Sequence, residues 1–202
     1  MDSLKLSTLF KGKVITSADA EYDAERQVFY GGIDSKPAAI IKVADAEDIQ
    51  KAIAFTRDQN LDLVVRSGGH SPYSATEGGV VIDLRDLHEI EVDETSKTVW
   101  AGSGLTAGQL TTELDKYNLA IGFGDTGSVG IGGITLGGGV GFLARKFGLA
   151  IDNLLAAEIV TADGKILQVD SDNNPDLFWA IRGGGGNFGI VTKFKYALHD
   201  LD

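Results

Sequence analysis

Ten of the twenty residues from Gly122 to Gly141 are glycine, and the others include Ile131, Ile134, Leu136 and Val140. Ordering such a tract is costly, because glycine loses more backbone freedom on folding than any other residue. The interleaved aliphatic residues are not those of a flexible linker. The tract is expected to be an ordered loop whose backbone lies against a flat ligand. Two further clusters share its character, Gly68-Gly69 and the run Gly183 to Gly189. Twenty-seven glycines accompanied by only three prolines, and grouped in this way, point to backbone packed on a bound molecule.

The earliest cluster carries the most chemistry. The apolar run Leu61 to Val65 reads as a buried strand that ends in Arg66-Ser67-Gly68-Gly69-His70-Ser71. A glycine pair lets the chain turn tightly, and consecutive exposed N–H groups form an anion-binding nest suited to a pyrophosphate. His70 follows at once, a nucleophile or base held over whatever the nest binds. Taken alone, the hexapeptide also fits a surface turn with an incidental histidine. Arg66 has two possible partners, a phosphate or a structural carboxylate.

Around these clusters the pattern is mixed α+β. Residues 1–37 read as irregular, with Tyr22, Phe29 and Tyr30 as packing anchors. Ala38 to Val43 reads as a strand. Asp45 is an N-cap for a helix over 46–59, with Ile49, Ala52, Ile53 and Thr56 on its buried face. With the strand at 61–65 this makes a β-α-β unit, and the 66–71 loop sits at the carboxyl end of its second strand, where α/β sheets bind ligands. A strand follows at 80–84, then a hairpin of 88–92 with 98–101. Thr106 and Gln109 form a capping box that opens a helix whose Leu110, Leu114 and Tyr117 face the core. Leu119 to Ile121 is a brief strand, and Phe142 to Phe147 a short helix stopped by Gly148. Strands at 154–161 and 165–169 turn at Asp163-Gly164. Asn174 and Pro175 are expected as N-cap and first residue of a helix to Arg182, and Ile190 to Tyr196 is the last strand. The organisation expected is a β-α-β lobe over about 1–86 and a larger, mainly antiparallel lobe over about 87–202. Trp100, Phe178 and Trp179 are expected in the core.

Charge and composition narrow the function. A net charge of −11 argues against a nucleic-acid partner, where a basic face is the expected footprint. It leaves room for a phosphate-bearing cofactor held by backbone N–H groups. With no cysteine, disulfides, thiolate metal sites and cysteine nucleophiles are excluded, and no metal site is expected. No stretch is long enough to suggest a membrane span. MDSLKLSTLF has no basic start followed by an apolar run, so a cytoplasmic location is expected. His88 and His199 read as ordinary surface residues.

Gly139, Gly141 and Ala144 satisfy the dinucleotide fingerprint G-x-G-x-x-A, and Glu158 lies about twenty residues on. The context is wrong, however. The apolar stretch before it, Ile134 to Leu136, is short and set in more glycine, and Glu158 falls mid-strand in a hairpin. No phosphate-binding G-x-x-x-x-G-K-[ST] occurs.

Four segments instead resemble one known family: RSGGHS at 66–71, GSVGIGGITLGGGVG at 127–141, RKFGLAIDNL at 145–154 and LFWAIRGGGGNFGIVT at 177–192. In order and spacing they are similar to the PCMH-type FAD-binding domain of the vanillyl-alcohol-oxidase and p-cresol-methylhydroxylase superfamily, in its berberine-bridge-enzyme-like branch. The resemblance runs from about Ala38 to Leu198. It implies that the loop from Ser67 to Ser71 cradles the FAD pyrophosphate and that His70 bonds covalently to the 8α-methyl carbon of the flavin. It further implies that Gly130, Gly132, Gly133, Gly137 and Gly141 line the pyrophosphate and isoalloxazine, and that Ile190 offers backbone groups to the adenine end. Some members carry a second bond through a cysteine of the second glycine loop. Asp125-Thr126-Gly127 stands there in this chain, with Thr126 or a neighbour aligned, so at most one covalent bond is expected. Asp152-Asn153 also matches, and is read either as part of the site or as a turn supporting the loop.

Family enzymes continue into a substrate domain, which the resemblance does not cover here, so no catalytic base is named. The chain reads as an excised or engineered domain, half of a split enzyme, or a minimal flavoprotein. Two functions remain open. One is a flavin-dependent oxidoreductase acting on an alcohol, sugar or amine and passing electrons to an acceptor. The other is a flavin-binding module with no dedicated substrate site.

Overall fold

The computed structural model describes residues 6–201. Residues 1–5 of the polar N-terminal stretch, and Asp202, lie outside the described residues. The stretch at 1–37 is more ordered than its polar composition suggests. It holds strand β1 (Lys13–Ile15) and a one-turn helix α1 (Tyr22–Glu25). β1 is too short to show a pattern, and its stability comes from its neighbour: it pairs antiparallel with β2 (Ala39–Lys42), with Ile15 opposite Ile40 and both fully buried. Of the three aromatic anchors expected here, only Tyr22 is buried, its hydroxyl donating to the Pro37 carbonyl at 2.7 Å. Phe29 and Tyr30 are exposed.

The first sheet runs β1-β2-β4-β3, with β3 (Leu63–Arg66) and β4 (Val80–Asp83) parallel to β2. Helix α2 (Ala46–Asp58) makes the crossover from β2 to β3. Asp45 caps it, accepting from the Asp48 N–H at 3.0 Å. The buried Asp48 carboxylate in turn accepts from the N–H groups of Lys11, Gly12 and Ala44, and so ties the N-terminal segment to the first turn of α2. Ile49 and Ala52 are fully buried in one cluster with Ile41, Val80 and Ile82. β4 lies between β2 and β3, which leaves β3 at the sheet edge.

The second sheet is antiparallel throughout, in the order β5-β6-β10-β8-β9. It is built from β5 (Ile90–Asp93), β6 (Thr98–Gly102), β8 (Leu154–Val160), β9 (Ile166–Asp170) and β10 (Ile190–Ala197). The short strands β7 (Leu119–Ala120) and β11 (His199–Asp200) pair separately. Helix α3 (Ala107–Asp115) opens on the Thr106–Gln109 capping box and buries Leu110 and Leu114. Val160 and Ile190 of this sheet pack in the core of the first, and Gln50 and Arg57 of α2 donate to the carbonyls of Gly164 and Ala162. The two sheets are therefore packed against one another.

Part of the glycine-rich tract is helical, not a loop: α4 spans Ile131–Leu136, followed by α5 (Ala144–Phe147). Two central glycines make α4 a poor helix by propensity. Tertiary contacts override this. Ile131 and Thr135 are fully buried, and the Thr135 hydroxyl bonds the Tyr196 hydroxyl of β10 at 2.8 Å. Burial pushes the Tyr196 phenol far above its ordinary pKa, so it remains protonated. Tyr196→Phe leaves the Thr135 hydroxyl buried without this partner, and is expected to lower stability by about 1–2 kcal/mol in urea unfolding.

The last helix, α6 (Pro175–Ile181), starts at Pro175 as expected, but Asn174 does not cap it with its side chain. Asn174 adopts a left-handed conformation (φ +51°) and its side-chain amide donates to the Gln168 carbonyl at 2.9 Å. Phe178 is in the core, Trp100 is half-buried, and Trp179 is exposed because it lies on the outer face of α6.

Candidate functional site

A cleft of about 930 Å³ opens between the two sheets. One wall is edge strand β3, whose Leu63, Val64 and Val65 are only half-buried because this side of the strand has no neighbouring strand. The opposite wall is α4 and the loop before it, and the segment Gly185–Val191 closes one side. The Ser67–Ser71 loop stands at the carboxyl end of β3, where its first residues meet the start of α4.

Two glycine segments meet there at backbone contact. A Cβ built on Gly68 would lie 2.2 Å from the Gly130 nitrogen, and one built on Gly130 would lie 2.1 Å from the Gly68 nitrogen. Ser67 locks the contact: its hydroxyl donates to the Ser103 carbonyl at 2.6 Å and accepts from the Gly132 N–H at 3.3 Å. Gly69 holds φ at +72°, the turn that only glycine makes without strain. Among the described residues, no group accepts a hydrogen bond from the N–H groups of Gly68, Gly69, His70 or Ser71. Four consecutive N–H donors without a protein acceptor next to a cleft are the arrangement that suits an anion.

His70 is half-buried at the loop's end. Its Nε2 lies 3.2 Å from the Ser128 hydroxyl, and its ring stacks on Phe29 with centroids 4.1 Å apart and planes 13° from parallel. The Phe29 N–H donates to the Gly69 carbonyl at 2.9 Å, which fastens the aromatic ring to the loop it covers.

Residues 37–170 match the model of a family described as "FAD binding domain". The chain belongs to this family of FAD-binding domains. The (R)-6-hydroxynicotine oxidase of Paenarthrobacter nicotinovorans is 40% identical over 203 residues, covering 98% of this chain and 44% of that protein. Among solved structures, Physcomitrella patens BBE-like 1 superposes with a TM-score of 0.92 at 29% identity, covering 99% of this chain and 45% of that one. The Acremonium strictum glucooligosaccharide oxidase, whose FAD is 6-S-cysteinyl and 8α-N1-histidyl, superposes with a TM-score of 0.88 at 32% identity, covering 94% and 41%. The fold is thus the PCMH-type FAD-binding fold of the berberine-bridge-like flavoproteins, and the chain spans less than half the length of the relatives it matches.

The residues present fit FAD. The cleft is of the size that encloses cofactors, N–H groups without a protein acceptor are of the kind that suits a phosphate, and the Gly68–Gly130 contact is a cradle that any side chain would fill. Of the residues predicted to hold the cofactor, Ser67, Gly68, Gly69, His70, Ser71, Gly130, Gly132, Gly133, Gly137 and Ile190 all line this cleft.

Five others do not. Arg66 is 2% exposed and pairs with the fully buried Asp83, Nη2 to Oδ2 at 3.0 Å, so of its two possible partners the structure places the carboxylate. That contact lacks hydrogen-bond alignment, and Nε and Nη2 make no hydrogen bond. Burial holds the Arg66 guanidinium below its ordinary pKa, against the opposing pull of Asp83. Asp125, Thr126 and Gly127 are exposed beyond Ser128, where the Gly127 carbonyl accepts from the Gly108 N–H. Gly141 packs on the backbone of Gly124. Asp152 and Asn153 support the loop: Asp152 accepts from the Leu149 N–H, and the Asn153 amide donates to the carbonyls of Phe147 and Leu149.

Sequence reasoning missed Ser128 and Phe29, which touch His70, and Tyr73, which lines the cleft. It also placed His199 on an ordinary surface. That ring stacks on Phe147 at 4.1 Å and bonds Asn153 at 2.6 Å, joining β11 to the α5 segment.

Proposed function

We propose that FAD lies in this cleft with its pyrophosphate on the N–H groups of Gly68 to Ser71 and its 8α-carbon bonded to His70, and that the longer protein to which such a domain belongs oxidises a small alcohol, sugar or amine. The observation that carries the reading is the row of four N–H donors without a protein acceptor, Gly68 to Ser71, which includes His70 and lies at backbone contact with Gly130. Each residue has a distinct task. Ser67 sets the spacing of the two walls. Gly132, Gly133 and Gly137 keep the α4 wall free of side chains. Ile190 closes the apolar side beside Gly189, at the adenine end. Asp125, Thr126 and Gly127 form the outer part of the opposing loop. Arg66 acts from behind, anchoring the end of β3 from which the loop departs. Bound FAD supplies the capacity to accept two electrons. No residue of this chain is assigned as the base that takes the substrate proton.

Titration of the flavin-free protein with FAD and with riboflavin tests the reading. The nest predicts that FAD survives gel filtration with the protein and riboflavin does not. Equal affinity for both would remove the pyrophosphate site. Anaerobic bleaching of the bound flavin by an alcohol, sugar or amine marks an oxidoreductase, whereas bleaching by dithionite alone marks a flavin-binding module.

A further inference from the structure

Phe29 is 63% exposed, yet its backbone is fastened and its ring is not free. Two residues before it, the Gln27 carbonyl accepts from Arg66 Nη1 at 3.3 Å, and the Phe29 N–H itself donates to Gly69. Core packing does not explain an exposed aromatic ring held flat on a histidine. Ser128, from the opposite wall, reaches the same imidazole at Nε2. The ring is thus fixed in plane by one residue and in rotation by the other. Among the described residues, Nδ1 of His70 has no hydrogen-bond partner.

We propose that Ser128 and Phe29 are positioning residues for flavin attachment, Ser128 accepting the Nε2 proton so that the Nδ1 lone pair is the one presented to the cleft, and Phe29 holding the imidazole plane. The inference rests on His70 being the tether. An imidazole nitrogen attacks only through a free lone pair, and a neutral imidazole has one. With the proton on Nδ1, the lone pair would sit on Nε2, engaged by the Ser128 hydroxyl. With the proton on Nε2, the hydroxyl accepts it and Nδ1 is free. Attachment forms one bond from Nδ1 to the 8α-carbon and breaks one C–H bond of that methyl group and the Nε2–H bond. The two protons and two electrons released reduce dioxygen, the oxidant, to hydrogen peroxide. Positive charge develops on the imidazole as the bond forms, and the Phe29 π-face beneath it stabilises that charge. Ser128 is exposed, so the departing Nε2 proton has a route to water.

The test follows attachment in time after FAD is added to the flavin-free protein, reading the flavin that stays with acid-precipitated polypeptide. Ser128→Ala and Phe29→Ala are each expected to slow attachment about tenfold with FAD affinity unchanged, and Ser128→Thr to restore the parent rate. Nitrogen-15 spectra of His70 in the flavin-free protein should show the Nε2–H tautomer, lost from dominance in Ser128→Ala. Attachment in Ser128→Ala at the parent rate, or an Nδ1–H tautomer in the parent, would overturn the proposal while leaving the tether intact. A parent that binds FAD and never forms the bond removes the tether itself, and the positioning role with it.

Discussion

Gly130→Ala is expected to lower FAD affinity by about a hundredfold or more. Backbone strain plays no part, since Gly130 has φ −70° and ψ 132°, a conformation open to any residue. The effect is one of space. The new methyl group would lie 2.1 Å from the Gly68 nitrogen and 2.3 Å from the Ser67 hydroxyl, atoms of the loop proposed to hold the pyrophosphate. The Gly68 contact is with backbone, which cannot swing aside as the Ser67 hydroxyl could, so the walls must part by about 1 Å, at roughly 1–3 kcal/mol of folding stability. Gly133→Ala separates cradle from core. A Cβ at Gly133 meets nothing within 4 Å, and the residue is in α4. Alanine there should hold or raise stability, by up to about 1 kcal/mol from helix propensity, yet weaken FAD binding because the methyl group stands in the cleft. Fluorescence titration with FAD, paired with urea unfolding of both variants, reads the two quantities. Unchanged affinity in Gly130→Ala would place the cofactor elsewhere.

Asp83→Asn is expected to cost about 3–5 kcal/mol in urea unfolding. Asp83 is fully buried at the end of β4 and faces two guanidinium groups. Arg85 holds it with Nε 2.9 Å from both carboxylate oxygens and Nη2 at 2.6 Å, and reaches on to Glu25 at 2.5 Å. The hydrogen bonds to Asp83 hold the Arg85 guanidinium above its ordinary pKa, opposite in direction to Arg66. Removing one negative charge leaves Arg66 buried with no counter-charge in contact, and its pairing is electrostatic more than geometric. The same substitution should loosen the cofactor loop, which begins at the next residue after Arg66. A Tm within a few degrees of the parent would show that the pair carries little of the stability of this sheet.

The fold was legible where local chemistry and tertiary structure agree. The Asp45 cap and the i, i+3, i+4, i+7 face of α2 are local signals, as are the Thr106–Gln109 box and the Asp163-Gly164 turn, and each appears in the structure at its predicted place. α4 was not legible, because its glycines argue against a helix and only buried Ile131 and Thr135 argue for one. β1 is held by pairing alone. The cleft was legible through its glycines and its histidine, since close backbone approach leaves a compositional mark. The partners of His70 leave no such mark: Phe29 lies 41 positions before it and Ser128 lies 58 after it, and both contacts exist only once the two sheets are clamped. Arg66 shows the reverse case, a residue adjacent to the site in sequence whose partner, Asp83, is brought to it by the register of β3 on β4.

Denaturation of the FAD-loaded protein in acid tests the central claim most directly. The account predicts that flavin absorbance stays with the precipitated chain, that the chain gains the mass of one FAD less two hydrogens on the peptide containing His70, and that His70→Ala binds FAD but releases all of it on denaturation. A parent protein that binds FAD in this cleft and releases it completely in acid, or a His70→Ala variant that retains it, would contradict the account.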